Sequence, residues 1–170
     1  MAGIIAGGCA SKEKPADKVV IYALDSSNRI LESQEERIFY EGIASKIINR
    51  QQNSADTIIY NIAEKPEAFY VGRPKRFQQV VGAIDSNFVN VTPTSMEAAK
   101  FSPTLNDMYE RIRNERRPVY IVFLTDGWFM SADAEFPENI RKLSELNSVK
   151  SVFVGPIKTD NGKRAEIENL

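Results

Sequence analysis

The sequence contains no histidine and a single cysteine, Cys9, in 170 residues. Without histidine there is no Ser-His-Asp or Cys-His catalysis, no His-ligated zinc and no histidine-based pH switch. One cysteine excludes an internal disulfide and a thiolate cluster. A metal site in such a chain has to be built from oxygens, which points to Mg²⁺, Mn²⁺ or Ca²⁺. An excess of either charge is also lacking. The 22 basic and 23 acidic residues leave a formal net of -1, which argues against a generally basic nucleic-acid binder. No stretch approaches the roughly 20 apolar residues of a membrane-spanning helix. There is no Gly-x-Gly-x-x-Gly and no Walker motif, so a nucleotide site has no support.

What is present is enough apolar material for one core, 42% of the chain. Single domains typically run about 100–200 residues. The first ten residues, Met1 to Ala10, are small and apolar and lead straight into Cys9; the chain then turns charged at Ser11-Lys12-Glu13-Lys14-Pro15. Ala6-Gly7-Gly8-Cys9 loosely resembles the end of a bacterial lipoprotein signal, where the cysteine becomes lipidated. A basic leading region and a full apolar region are missing. Either the native start lies upstream, or Cys9 is an ordinary thiol in a Gly-rich N-terminus. The first reading places the protein at the cell envelope, joined to the membrane only through a lipid on Cys9; the second leaves it cytoplasmic. Residues 1–17 are therefore expected to be a signal-like segment and linker, and 18–170 the folded domain.

Apolar runs mark the strands. Val19 to Leu24 and Val119 to Leu124 are continuous apolar segments, the pattern of strands buried on both faces. Thr57 to Ile62, Glu67 to Val71 and Ser151 to Val154 are further strand candidates. Helices are expected over Ser33 to Arg50, with Ile38, Phe39, Ile43, Ile47 and Ile48 along one side, and over Phe77 to Phe88. Leu105 to Ile112 and Phe136 to Leu146 repeat helical spacing. Strands alternating with amphipathic helices predict an α/β domain, doubly wound, with a mostly parallel sheet and helices on both faces. In such sheets ligands sit outside the carboxyl ends of the strands, where strand order reverses.

Two carboxylates occupy that position. Asp25-Ser26-Ser27-Asn28-Arg29 follows the first strand, and Thr125-Asp126-Gly127-Trp128 follows the central one. Two aspartates on neighbouring strands repel each other, and a divalent cation between them relieves the repulsion. These residues resemble the metal-ion-dependent adhesion site of the von Willebrand factor type A (vWA) family. That site uses Asp-x-Ser-x-Ser after the first strand, a loop Thr, and an Asp in a Thr/Ser-Asp-Gly turn. Asp25, Ser27 and Asp126 match. Thr104, which opens the helix leading into the central strand, is the choice for the loop Thr, with Thr94 second. Arg29 departs from the pattern, standing where the family has Ser. Turned inward, its guanidinium would pair with Asp25 or Asp126 and replace the metal by a fixed cation. Turned outward, it would leave water or Asn28 to fill the position.

The resemblance implies a Rossmann-like vWA fold and a non-enzymatic binding module. Its cation would be Mg²⁺, with Mn²⁺ or Ca²⁺ as alternatives. A protein partner would complete the shell with an acidic side chain and touch a rim formed by Asn28, Arg29, Trp128 and Phe129. Trp128 and Phe129 have a plainer reading as cover for the core edge. Two alternatives stand beside this one: a phosphatase-like α/β hydrolase using Asp25, and a vWA scaffold without metal, which Arg29 favours. The Asp-x-Asp pattern of the first is absent, because Ser27 holds the second position. The basic run Arg111, Arg113, Arg116 and Arg117 reads as a solvated helix end, or else as a surface for an acidic partner. Members of the family usually continue through one more helix, and often another strand, beyond Ile157. The resemblance thus implies a domain cut short at its C-terminus, whose sheet edge is covered by a partner or a second copy.

Overall fold

The computed structural model describes residues 16–26, 34–50, 55–62, 67–74, 77–90, 101–125 and 133–155. Five strands form one sheet: β1 (Val19–Asp25), β2 (Asp56–Ile62), β3 (Glu67–Gly72), β4 (Val119–Leu124) and β5 (Val149–Gly155). The order is β3-β2-β1-β4-β5. β1 is central and parallel to both neighbours, with Ile21 opposite Ile58 on one side and Ile121 on the other. Every residue of β1 is buried, as its unbroken apolar run predicts. β5 runs parallel to β4, and β3 runs antiparallel to β2. The doubly wound, mostly parallel sheet expected from the sequence is the one observed.

Four helices are described: α1 (Gln34–Arg50), α2 (Phe77–Asn90), α3 (Ser102–Ile112) and α4 (Phe136–Ser144). Strand alternation sorts the core into two layers. Val19, Ile21 and Ala23 of β1 join Ile121 and Phe123 of β4 under Leu105, Met108 and Ile112 of α3 and Ile140 and Leu143 of α4. Val20, Tyr22 and Leu24 face the other way, with Ile59 of β2, Ile84 of α2 and Ile43 of α1. On that second face Tyr120 and Phe153, which is 54% exposed, are left uncovered among the described residues.

One expectation fails. The apolar residues of α1 do not form a single buried side, since Ile38 and Phe39 are 58% and 50% exposed. At about 100° per residue, positions 38, 39, 43, 47 and 48 spread too widely around the helix to be buried together. Ile43 packs on the core, and the side chains of Ile47 and Ile48 lie outside the described residues.

Arg111, Arg113 and Arg116 of the basic run are exposed, as a solvated helix end implies, but Arg117 is engaged. Arg117 donates to Asp56, to Glu115 at 2.7 Å and to the Ala16 carbonyl at 3.3 Å, and Arg73 lies 3.5 Å from Asp56. The Arg117 guanidinium and the backbone N–H groups of Arg116 and Arg117 hold the Glu115 carboxyl well below its ordinary value, at about 2. This network staples the N-terminal edge of the sheet, where β2 and β4 begin.

Candidate functional site

β1 has β2 on one side and β4 on the other, so the strand order reverses at β1, and the crevice of a doubly wound sheet lies at the C-terminal ends of these strands. α3 brings its first turn to the same edge. Its 11 residues span about 16 Å. Its last turn lies near the start of β4, so its first turn lies beside the strand's end. Aromatic packing fixes it there. The Phe101 ring sits 5.6 Å from Phe123, near the end of β4, and 5.8 Å edge-on from Phe136, which opens α4. Such ring pairs contribute about 0.5–1.5 kcal/mol each beyond their buried area.

A polar tie locks the same helix from its flank. The Tyr60 hydroxyl of β2 donates to Asp107 Oδ2 at 2.5 Å, and Arg111 Nε donates to that oxygen at 2.9 Å. The Arg111 guanidinium also lies 5.8 Å from the centre of the Tyr60 ring. Burial and the Asp107 carboxylate push the Tyr60 hydroxyl far above the usual phenol range. Burial works to raise the Asp107 carboxyl, but the Tyr60 hydroxyl and Arg111 outweigh it and hold the group below its ordinary value.

At the edge itself, Asp25 is 2% exposed at the last position of β1. Thr125, directly after β4, donates its hydroxyl to Asp25 Oδ2 at 2.7 Å, and its N–H donates to the Gly155 carbonyl at 3.3 Å. The Ser26 hydroxyl turns instead towards the end of β2, donating to Asn61 Oδ1, with the Ile62 carbonyl 3.2 Å away. Thr104 is fully buried in the first turn of α3, and among the described residues its hydroxyl has no hydrogen-bond partner. A buried hydroxyl without a partner costs about 1–3 kcal/mol.

Of the residues singled out in the sequence, Asp25 and Thr104 thus reach the same edge of the sheet. Ser27, Asn28, Arg29, Asp126, Trp128, Phe129, Thr94 and Cys9 lie outside the described residues. Among the described residues no three acidic, histidine or cysteine side chains gather into a metal cluster. The visible donors are one anionic oxygen, Asp25, and one unengaged hydroxyl, Thr104. Hard oxygen donors of this kind are the type that suits a small divalent cation.

Two residues at this edge carry no motif. Asp133 accepts the Ser102 N–H on Oδ2 at 2.7 Å and the Ser102 hydroxyl on Oδ1. In the sequence, Asp133 ahead of Phe136-Pro137 has the look of a cap for α4. The helix it caps is α3, a contact between residues far apart in the chain.

The doubly wound sheet with its antiparallel edge strand is similar in fold to von Willebrand factor type A domains. Solved structures agree. The proximal thread matrix protein 1 of the mussel byssus, in a form described with a zinc-occupied MIDAS motif, superposes with a TM-score of 0.60 at 16% identity over 82% of this chain and 35% of its own. The von Willebrand factor type A structure from Catenulispora acidiphila gives 0.60 at 14% identity, over 83% of this chain and 35% of its own. The conserved hypothetical protein BatB from Bacteroides thetaiotaomicron gives 0.60 at 17%, over 86% and 73%. The chain thus spans about a third of the length of the first two. No family model and no curated protein sequence matches it.

Proposed function

We propose that the chain is a non-enzymatic binding module that holds a protein partner through a divalent cation, Mg²⁺ or a close substitute, at the C-terminal edge of the sheet. Asp25, Ser27, Thr104 and Asp126 would ligate it. Asp126 is bonded to Thr125, whose hydroxyl donates to Asp25. The observation that carries the reading is the buried Thr104 hydroxyl, without a partner among the described residues, beside that edge. The zinc-occupied motif of the mussel protein supports the class of ligand. When bound, the cation would supply an electrophilic centre for an acidic side chain of the partner. This chain's residues contribute the rest: Asp25 gives negative charge, Thr125 fixes its carboxylate, and Thr104 offers a neutral oxygen. Burial of Asp25 and its bond to Thr125 favour a ligand over an exposed nucleophile, so a general phosphatase assay should show no turnover.

Titration calorimetry of the full chain with Mg²⁺ and Mn²⁺ tests the reading. Heat and a thermal shift at millimolar metal are expected, and both should vanish in Asp126→Ala. Neither heat nor shift in the unaltered protein would leave a metal-free scaffold, the role Arg29 favours. The module's place is the cell envelope, with Cys9 as lipid attachment point. Mass spectrometry of the native protein checks this, and an unmodified N-terminus upstream of Cys9 contradicts it.

A further inference from the structure

We propose that Asp133 is a positioning residue for the cation site: its carboxylate clamps the first turn of α3 and thereby holds Thr104 at the sheet edge. The inference rests on the cation reading above. α3 begins without a cap of its own, because its N-cap residue is Phe101, which has no side-chain oxygen. The first N–H groups of a helix need partners from outside it. Asp133 meets that need at Ser102, taking the N–H at 2.7 Å on one carboxylate oxygen and the hydroxyl on the other. The negative charge also sits favourably at the positive end of the helix dipole. Pro103 follows with its φ fixed by the ring, so the backbone between the clamp and Thr104 has little freedom.

The same residue begins α4, since its carbonyl accepts the Phe136 N–H at 3.1 Å. Between Thr125 and Asp133 the chain carries Asp126, seven positions before the clamp. One buried residue therefore ties the turn that holds Thr104 to the start of α4. Position 101 cannot supply the cap, because the Phe101 ring is committed to the aromatic cluster with Phe123 and Phe136. The cap comes instead from a carboxylate 31 residues away, which fixes the turn that carries Thr104 against the start of α4.

The test is Mn²⁺ affinity by titration calorimetry on the full chain, with thermal stability read in parallel. Asp133→Ala is expected to weaken Mn²⁺ binding about tenfold or more, the scale on which residues that orient metal ligands act. Asp133→Asn keeps one acceptor oxygen and should recover part of that loss. Arg117→Ala, which breaks the ion-pair network at the opposite edge, should lower stability and leave Mn²⁺ affinity unchanged. Should Asp133→Ala fail to fold, Ser102→Ala removes one of the two bonds and should weaken binding by a smaller factor. Wild-type affinity in Asp133→Ala, or in Ser102→Ala where that variant stands in, overturns the proposal. So does an equal loss in Arg117→Ala. If the unaltered protein takes up no Mn²⁺, the cation reading fails and the proposal with it. Uptake that is indifferent to Asp133 defeats the proposal alone.

Discussion

At the N-terminal edge of the sheet Arg117 reaches Asp56, Glu115 and the Ala16 carbonyl, while at the C-terminal edge Thr104 keeps a buried hydroxyl with no partner among the described residues. The two edges are joined by the same strands and overlie the same core. The first carries an ion-pair network, and the second a buried carboxylate bonded to Thr125 and a buried Thr104 hydroxyl without a partner among the described residues. Polar groups at the first edge are spent on stability. At the second, on the function proposed above, the Thr104 hydroxyl would be kept for a ligand, at a cost the rest of the fold carries.

Perturbing each edge should separate these roles. The largest effect is expected from Phe101→Ala, which removes the ring between Phe123 and Phe136 beneath the C-terminal edge. A buried Phe lost from a core costs about 3–5 kcal/mol, measurable by urea denaturation. Mn²⁺ affinity should fall with it, and a variant that lost stability while binding normally would show that the aromatic cluster does not position the site. Arg117→Ala should cost about 0.5–1 kcal/mol, because it removes one of the two arginines at Asp56 and leaves Glu115 with backbone N–H partners only.

Acid should act on the N-terminal edge first. The Glu115 carboxyl is held down at about 2 from an ordinary 4.5 by Arg117 and two backbone N–H groups. A carboxyl depressed in the folded state contributes stability above its unfolded value, and that contribution fades as pH falls towards the folded one. Stability should therefore decline between about pH 4.5 and 2, and Glu115→Gln should flatten that part of the profile. An unchanged profile in the variant would assign the acid sensitivity elsewhere.

How far the sequence foretold each edge follows from what local patterns encode. The unbroken run Val19 to Leu24 announced a central strand, and β1 is buried along its whole length. Asp25 was legible because an apolar strand that ends in a carboxylate marks a sheet edge. Thr104 was legible as the hydroxyl that opens the helix before β4. The clamp between Asp133 and Ser102 was not, since an Asp ahead of a Pro-opened helix looks like a cap for that helix and nothing local says otherwise. The Arg117 network was hidden for the same reason: Asp56 and Glu115 meet only when β2 and the end of α3 come together. Ile38 and Phe39 mislead because their apolar side chains suggest a buried side while the helix leaves both exposed.

The account turns on whether Thr104 is kept for a ligand or for the fold. Thr104→Val keeps the shape and removes the hydroxyl. Without metal, this variant should be more stable than the wild type by about 0.5–1 kcal/mol, because an unsatisfied buried hydroxyl is gone. With millimolar Mn²⁺ the order should reverse, since only the wild type gains stability from binding. A valine variant that is less stable without metal and gains as much from Mn²⁺ as the wild type would show that Thr104 serves the fold and not the site.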